Sequence, residues 1–169
     1  MPTVVVVSDT HLRKEEDKLP AALINSLRDA DLIVHCGDFE ELFVLERLRE
    51  FGEVRAVHGN MDSKELKKML PAVVVVEFEG FRLGITHGTG PPLGLERRVV
   101  SLLKKHCDIE TLDALLYGHS HVPKKSVVKG LLLLNPGSPT DKKYAPFNSF
   151  GVLRLSSSGG GIDAGIVKI

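Results

Sequence analysis

The sequence predicts a mixed α/β (α+β) fold, a two-sheet β-sandwich flanked by helices. The first observation is that aliphatic strand-like runs and helical segments alternate over residues 3–57 in the order β-α-β-α-β, which is typical of parallel strands joined by crossover helices. The second is that hairpin patterns begin after Pro71, around Glu79-Gly80 and Lys129-Gly130. Together these observations predict one sheet packed on another, with the helices outside.

The segments of the first half have clear boundaries in the sequence. The β-branched run that opens the chain predicts a strand buried on both faces, and Pro20 and Ser63 are suitable residues for helix starts. The predicted elements are, in order, strand Thr3–Val7, helix Ala21–Arg28, strand Leu32–His35, helix Leu42–Phe51, strand Val54–Val57 and helix Lys64–Leu70. The charged segment 12–18 is predicted to be a loop.

The second half is predicted to be richer in hairpins. One helix is expected here, over Gly94–His106, and Ser156–Gly161 reads as a turn between the last two strands. The predicted strands are, in order, Val73–Phe78, Phe81–Thr86, Ala114–Tyr117, Ser126–Val128, Leu131–Leu134, Phe150–Leu155 and Ile162–Val167.

Length and composition predict a single domain over residues 1–169, with 43% apolar and 26% charged residues. The absence of a leader pattern and the two scattered cysteines indicate a cytoplasmic protein with reduced thiols. Apolar runs are too short for a membrane span. Because 22 basic residues balance 22 acidic ones and aromatic residues are scarce, nucleic acid is not the expected partner.

Five short stretches place oxygen or imidazole side chains just after predicted strands. They are Asp9-Thr10-His11, Gly37-Asp38, Gly59-Asn60, His87-Gly88 and Gly118-His119-Ser120-His121. Ligands bind at the carboxyl ends of strands in such sheets, so we expect these stretches to converge on one edge if the strands are neighbours. Oxygen and imidazole ligands without thiolate suit Mn²⁺, Fe, Ni²⁺ or Zn²⁺. Each stretch alone is more often a turn, a cap or a structural histidine, and only their joint occurrence predicts a metal site.

These five blocks, in this order, resemble the calcineurin-like metallophosphoesterase superfamily, over nearly the whole chain. The small size and Asn135-Pro136-Gly137-Ser138 are most similar to its compact branch of YfcE-like phosphodiesterases, to which the Vps29 retromer subunit is related. The resemblance implies a metallophosphoesterase-like sandwich with two divalent ions, Mn²⁺ first, with Ni²⁺, Fe, Zn²⁺ or Mg²⁺ as alternatives. It implies that Asp9, His11 and His121 bind one ion, that Asn60, His87 and His119 bind the other, and that Asp38 bridges them. Asp38, Asn60 and His87 are the implied catalytic residues.

One departure from the family pattern concerns the residue after Asn60. Many family phosphomonoesterases have a histidine there that protonates the leaving group, whereas this chain has Met61 followed by Asp62. We therefore expect a small phosphodiester substrate, attacked by a metal-bridging hydroxide. His58 could partly replace the missing acid. The alternatives are a Vps29-like binding scaffold with a residual metal site, and a nuclease. A homodimer is expected from the resemblance alone.

Overall fold

The strands form two five-stranded sheets in a computed structural model, which describes residues 1–156 and 159–169. The first sheet has the order β10-β9-β1-β2-β3 and the second the order β4-β5-β6-β8-β7. The strands are β1 Thr3–Val7, β2 Leu32–His35, β3 Val54–Ala56, β4 Val73–Phe78, β5 Phe81–Thr86, β6 Ala114–Leu116, β7 Lys124–Val128, β8 Leu131–Asn135, β9 Ser149–Ser156 and β10 Gly161–Lys168. The predicted sandwich is confirmed.

Four α-helices cover the outer faces of the sandwich in the described part of the chain. They are α1 Ala21–Arg28, α2 Leu42–Arg49, α3 Lys64–Met69 and α4 Leu95–Leu103. The first three helices bury leucines against the outer face of the first sheet, and α4 does the same on the second sheet. None of the helices in these ranges is long and apolar enough to cross a membrane.

The two faces of each central strand belong to different apolar cores, as the period-2 geometry of a strand requires. In β1, Val4 and Val6 pack between the sheets, whereas Val5 packs under the helices of the first sheet. In β6, Leu116 faces the space between the sheets and Leu115 faces α4. Strands buried on both sides have no polar face, which explains their uninterrupted aliphatic sequences.

Strand direction determines which strand ends meet. Strands β1, β2 and β3 are parallel, and β5, β6 and β8 are parallel in the other sheet. The remaining strands pair antiparallel at the sides of these parallel sets. Each parallel set therefore has a row of carboxyl ends at which polar loops begin.

The two predicted hairpins have their turns at the predicted residue pairs, and both residues of each pair have positive φ angles. Glu79-Gly80 has φ values of 52° and 82°, and Lys129-Gly130 has 51° and 86°. Two successive positive φ angles match the right-handed twist of the flanking strands, and glycine adopts them readily.

Several element ends differ from the predictions. The helix expected to reach Phe51 ends at Arg49, because the Phe51 N–H bonds to the Leu48 carbonyl in a tighter turn. The helix expected over Gly94–His106 is shorter at both ends, since Gly94 has a left-handed φ of 75° and residues after Leu103 form turns. A short 3₁₀ helix, Ile109–Thr111, was not predicted. The predicted Ser156–Gly161 turn includes residues 157 and 158, which lie outside the described residues.

The inter-sheet core yields a first testable prediction. Leu116 is fully buried between the sheets, so we expect Leu116→Ala to lower the free energy of unfolding by about 2–5 kcal/mol in urea denaturation. The matched control is Val127→Ala on the outer strand β7, where the side chain is 65% exposed and the expected change is under about 0.5 kcal/mol. Equal losses in the two variants would contradict this packing.

Candidate metal centre

The five polar stretches meet at one end of the sandwich, but they come from both sheets. Asp9, Asp38 and Asn60 follow β1, β2 and β3, whereas His87 follows β5 and the His119–His121 pair follows β6. A single sheet edge was expected only if all of these strands were neighbours, and they belong to two different sheets. The carboxyl ends of two parallel strand sets face each other across the sandwich, and the loops between them bring the stretches together.

The backbone turns sharply where most of these side chains project. Five of the seven predicted ligands have left-handed φ angles, which L residues adopt rarely: Asp9 at 55°, His11 at 45°, Asp38 at 59°, His119 at 74° and His121 at 58°. Hydrogen bonds between neighbouring loops support them, as from Asp9 N to the Gly37 carbonyl at 3.0 Å. Such unfavourable conformations cluster at functional sites, where surrounding structure holds them in place.

Two glycines give the carboxylates the room they occupy. A Cβ on Gly59 would lie 2.1 Å from Asp38 Oδ1, and a Cβ on Gly118 would lie 1.9 Å from Ser8 Oγ and 2.8 Å from Asp9 Oδ2. No side chain fits at either position without displacing these groups.

Two buried carboxylates lie at the centre of the cluster. The Oδ2 atom of Asp38 is 3.2 Å from His87 Nε2 and 3.7 Å from His11 Nε2, so it lies between two imidazoles. The Oδ1 atom of Asp9 is 3.3 Å from His121 Nε2 and 3.8 Å from His11 Nε2. Ligand atoms of Asp9, His11 and His121 lie within 4.8 Å of one another, and so do those of Asp9, Asp38 and His87. Each group is close enough to hold a metal ion.

Three of the imidazoles are oriented in the same way, with Nδ1 on an oxygen and Nε2 toward the carboxylates. The Nδ1 contacts are His87 to the Cys36 carbonyl at 2.7 Å, His11 to Glu40 Oε1 at 2.7 Å and His121 to Asp141 Oδ2 at 2.5 Å. Donation from Nδ1 fixes the tautomer in which Nε2 carries the lone pair, which is how a histidine is usually prepared to bind a metal.

His119 is held by the opposite ring atom. Its Nε2 donates to the Gly90 carbonyl at 2.8 Å, and its Nδ1 lies 3.1 Å from the Asn60 Oδ1 atom. When Nε2 is the donor of the neutral ring, Nδ1 carries the lone pair and faces Asn60 Oδ1, which is also an acceptor. The His119 ring is also 5.1 Å from the His87 ring, so Asn60, His87 and His119 form the second side of the cluster.

The cluster contains polar atoms without hydrogen-bond partners. Asp9 Oδ1 and His87 Nε2 are buried and accept no hydrogen bond from any described residue. An unpaired buried polar atom costs about 1–3 kcal/mol, and a bound ion or ligand is one way in which a native structure offsets that cost. This observation fits a cation between the carboxylates and the imidazoles.

Mutual electrostatics shift the pKa values of the cluster in opposite directions. Burial alone would raise the pKa of Asp9, but His121 and His87 outweigh it and lower this pKa to about 2. Burial alone would lower the pKa of His87, but Asp38 and Asp9 raise it to about 9. The pKa of His121 likewise rises to about 9, because Asp9 and Asp141 outweigh its burial. Without a metal, protons on the imidazoles balance the carboxylate charge at neutral pH.

Three acidic residues that support this cluster were missed in the sequence. Asp62 accepts from the amides of Gly59 at 2.7 Å, Glu40 at 2.8 Å and Asp38 at 3.0 Å, and so fastens two of the loops together. Glu40 and Asp141 orient histidines, as described above. Asp62 comes two residues after Asn60, but a single carboxylate in a loop gives no signal of three amide contacts.

Two other histidines, His35 and His58, lie outside the predicted ligand set. His35 is fully buried, accepts at Nδ1 from the Gly37 amide at 3.1 Å and stacks on Phe39, and its burial lowers its pKa to about 3. His58 was expected to be able to replace a missing acid. Its Nδ1 contacts the carbonyl of its neighbour Gly59 at 3.3 Å. A cleft opens over the cluster beside His11, Asp38 and His121, and His58 is not among the described residues that line it.

A family model and several known proteins that are similar to this chain all point to one family of phosphoesterases. A model of the calcineurin-like phosphoesterase superfamily domain matches residues 3–158. The chain is 37% identical over 135 residues to the probable metallophosphoesterase MJ0623 of Methanocaldococcus jannaschii, covering 80% of this chain and 67% of that protein. It is 34% identical over 164 residues to a probable metallophosphoesterase of Methanothermobacter thermautotrophicus, covering 96% and 90%. It is 28% identical over 144 residues to phosphodiesterase MJ0936 of Methanocaldococcus jannaschii, covering 78% and 81%.

Solved structures share the fold over the full length. The solution structure of Thermotoga maritima protein TM1076 is 31% identical, with a TM-score of 0.72 and full coverage of both chains. The structure of Vps29 from Entamoeba histolytica complexed with Zn²⁺ is 22% identical, with a TM-score of 0.73 and coverage of 98% of each chain. The second comparison concerns the fold alone.

The contacts of Asp62 predict that it supports both stability and metal binding. Asp62→Asn replaces an acceptor with an amide that cannot accept from all three N–H groups. We expect unfolding free energy to fall by about 1–3 kcal/mol and metal affinity by about 10–100-fold, measured by denaturation and calorimetry. Asp163→Asn is the matched control, since that side chain is 72% exposed. Unchanged metal affinity in Asp62→Asn would contradict this role.

The raised histidine pKa values predict that metal binding displaces protons. Below pH 9, His87 and His121 are protonated in the metal-free protein, and only the neutral ring binds a metal, so apparent Mn²⁺ affinity should fall as pH decreases from 9 to 6. Calorimetry at pH 7 in two buffers of different ionisation enthalpy measures the protons released. A binding heat that is the same in both buffers would show that no proton is displaced.

Proposed function

The chain belongs to the calcineurin-like phosphoesterase superfamily, since the family match covers residues 3–158 of 169, and we propose that it is a phosphodiesterase that uses two divalent metal ions. The similarity of the whole chain to metallophosphoesterases and to TM1076 assigns it to the compact branch of this superfamily, whose members use divalent metals. The pair of metals, their identity and the preference for diesters are parts of our proposal.

The observation that carries the two-metal proposal is the position of Asp38. Its Oδ2 atom lies between His11 and His87, which belong to the two sides of the cluster. In the proposed site Asp38 would be shared by both ions. Asp9, His11 and His121 would hold the first ion, and Asn60, His87 and His119 would hold the second.

The donor set supports hard-to-borderline ions. It consists of carboxylate and amide oxygens with imidazole nitrogens, which suits Mn²⁺, with Ni²⁺, Fe, Zn²⁺ and Mg²⁺ as alternatives. Bound ions would satisfy the two unpaired atoms, the first ion at Asp9 Oδ1 and the second at His87 Nε2. Both carboxylates are buried, so their charge is available to an ion with little screening by water.

Two ions held here would supply a hydroxide nucleophile at neutral pH and neutralise charge on the phosphoryl group. The residues of the chain contribute position and selectivity. Asp38 is held by the Met61 amide at 2.7 Å through Oδ1, which leaves Oδ2 for the ions. Asn60 is exposed in the cleft, where its amide group can orient the phosphate. His87 is fixed by the Cys36 carbonyl and cannot swing out of the cluster.

Met61 disfavours hydrolysis of esters with poor leaving groups, because no general acid follows Asn60. It lies in the cleft after Asn60 and is 49% exposed, but a thioether has no proton to donate to a departing alkoxide. Departure should then depend strongly on the pKa of the leaving group. The similarity to phosphodiesterase MJ0936, at 28% identity over 144 residues, supports a preference for diesters.

The rest of the proposal follows the sequence predictions. Residues 1–169 act as a single domain on a small soluble phosphodiester in the cytoplasm. Formation of a homodimer stays a prediction from the family resemblance. Nucleic acid remains the less favoured substrate, since the chain has no net charge.

A binding scaffold is the second candidate, because the fold is shared with Vps29 over nearly the whole chain. The enzyme is favoured since all seven predicted ligand positions hold suitable residue types and lie at one end of the sandwich. A scaffold would bind a partner and show negligible turnover of a generic diester.

The proposal predicts metal-dependent hydrolysis that requires Asp38. With Mn²⁺, bis(p-nitrophenyl) phosphate should be hydrolysed faster than p-nitrophenyl phosphate, as measured by p-nitrophenolate release. Asp38→Ala should lower diester turnover by at least about 100-fold, the upper end of the losses caused by changes around a metal's ligands. Asp163→Ala, at an exposed position on β10, is the control.

Two results would count against the proposal. A large preference for the monoester would refute diester specificity while leaving a metal-dependent esterase. Full activity in Asp38→Ala would refute the bridging role.

A further inference from the structure

A cleft of about 1150 Å³ opens directly over the candidate metal ligands. His11, Asp38 and His121 are among the residues that form its floor. Pockets of about 300–1,000 Å³ hold drug-sized molecules, so this cleft has room for much more than one phosphate group. One of its walls is the turn 141–145, which follows the Asn135-Pro136-Gly137-Ser138 loop.

This wall is tied to the metal centre through a single carboxylate. Asp141 Oδ1 accepts from the Lys143 amide at 2.8 Å, and Oδ2 accepts from the amides of Tyr144 at 3.0 Å and Ala145 at 2.9 Å. The same Oδ2 accepts from His121 Nδ1 at 2.5 Å. The side chain that orients a candidate metal ligand therefore also folds the turn beside it, which gives the turn a fixed position relative to the cluster.

The turn presents an aromatic ring to the cleft. Tyr144 is 65% exposed, and its ring lies edge-on to the His121 ring with centroids 5.9 Å apart. The Lys143 ammonium lies 4.7 Å from the Tyr144 ring centroid. Tyr117, the second tyrosine of the chain, is buried under α4 instead. Tyr144 is thus an accessible aromatic surface next to a proposed metal ligand.

The charges around the cleft are unevenly paired. Arg13 is neutralised by Glu40 at 2.5 Å. By contrast, Lys18, Lys142 and Lys143 also line the cleft, and within the described ranges none of them has a carboxylate at ion-pair distance. Four acidic residues, Asp17, Asp38, Glu40 and Asp141, also line the cleft, so the positive charge offered to an anionic substrate is local, at Lys142 and Lys143 beside Tyr144.

We propose that the substrate is a small nucleotide-type phosphodiester, in which a nucleobase stacks on Tyr144 while the scissile phosphate lies at the metal centre. Every base has a π-face, so stacking on an aromatic side chain tolerates different bases, and adjacent cations add to it. Lys142 and Lys143 attract the anionic substrate into the cleft. This inference rests on the proposed phosphodiesterase function and deepens it.

Two substrates with the same leaving group test the inference. Thymidine 5′-(p-nitrophenyl) phosphate carries a base on the retained alcohol, whereas methyl p-nitrophenyl phosphate carries none. The wild-type protein should have the lower KM for the thymidine ester. Tyr144→Leu should raise that KM by at least about 5-fold relative to the KM for the methyl ester, the lower end of what one base stack contributes. Tyr144→Phe keeps the ring and should restore the difference, and Val127→Ala on β7 is the remote control.

A binding measurement tests the same point without turnover. With two tyrosines in the chain, the ring signals of Tyr144 can be identified in NMR spectra by comparison with Tyr144→Phe. In protein loaded with diamagnetic Zn²⁺, thymidine 5′-monophosphate should shift the Tyr144 ring signals, and inorganic phosphate should shift them much less. Signals that respond equally to both ligands would overturn the stacking.

The outcomes separate this inference from the proposed function. If both esters are hydrolysed with equal KM and Tyr144→Leu does not discriminate between them, the phosphodiesterase stands and the nucleobase subsite is refuted. If neither ester is hydrolysed, the proposed function fails, and the NMR titration still decides whether Tyr144 binds a base.

Discussion

The close approach of Asp9 and Asp38 is the constraint on which the rest of the site depends. Both carboxylates are buried, and like charges in such an environment repel strongly unless cations lie beside them. Imidazolium groups provide that charge in the metal-free protein, as the raised pKa values of His87 and His121 show. Metal ions provide it in the proposed holoenzyme. The fold therefore places two buried negative charges at one end of the sandwich, and they require cations beside them.

The local structure holds the two carboxylates in place at the cost of unfavourable backbone conformations. Left-handed backbone at Asp9 and Asp38 directs the carboxylates inward, and Gly59 and Gly118 leave space beside them. Asp62 binds amides from two loops and so prevents the loops from separating. A protein selected for stability alone would not need these conformations, and their concentration at one end indicates that they serve binding.

The sequence predicts the elements better than their ends. The valine run of β1 is typical of a strand buried on both faces. The Glu79-Gly80 pair contains the glycine that two-residue hairpin turns prefer. The end of α2 could not be predicted, because helical and tighter turns near Phe51 differ by little energy. The pairing of strands into two sheets also lies beyond local patterns. For that reason the candidate ligands could be grouped from the sequence, but not assigned to opposite sides of a sandwich.

The residues that support the candidate ligands are also beyond the reach of local sequence patterns. A ligand type after a strand gives a local signal, as Asp9-x-His11 does, whereas Asp141 and Tyr144 acquire meaning only through contacts with His121 across the fold. The sequence can thus indicate the chemistry of the cluster, while its orientation and its cleft require three-dimensional contacts. The coupling of Asp141 to both a histidine and the cleft wall is the clearest case.

A crystal structure of Mn²⁺-soaked protein shows directly whether two metal ions share Asp38. Anomalous scattering locates manganese independently of the protein phases. We predict two anomalous peaks about 3.5–4 Å apart, with Asp38 between them, His11 beside one and His87 beside the other. A single peak, or two peaks that do not share Asp38, would contradict it.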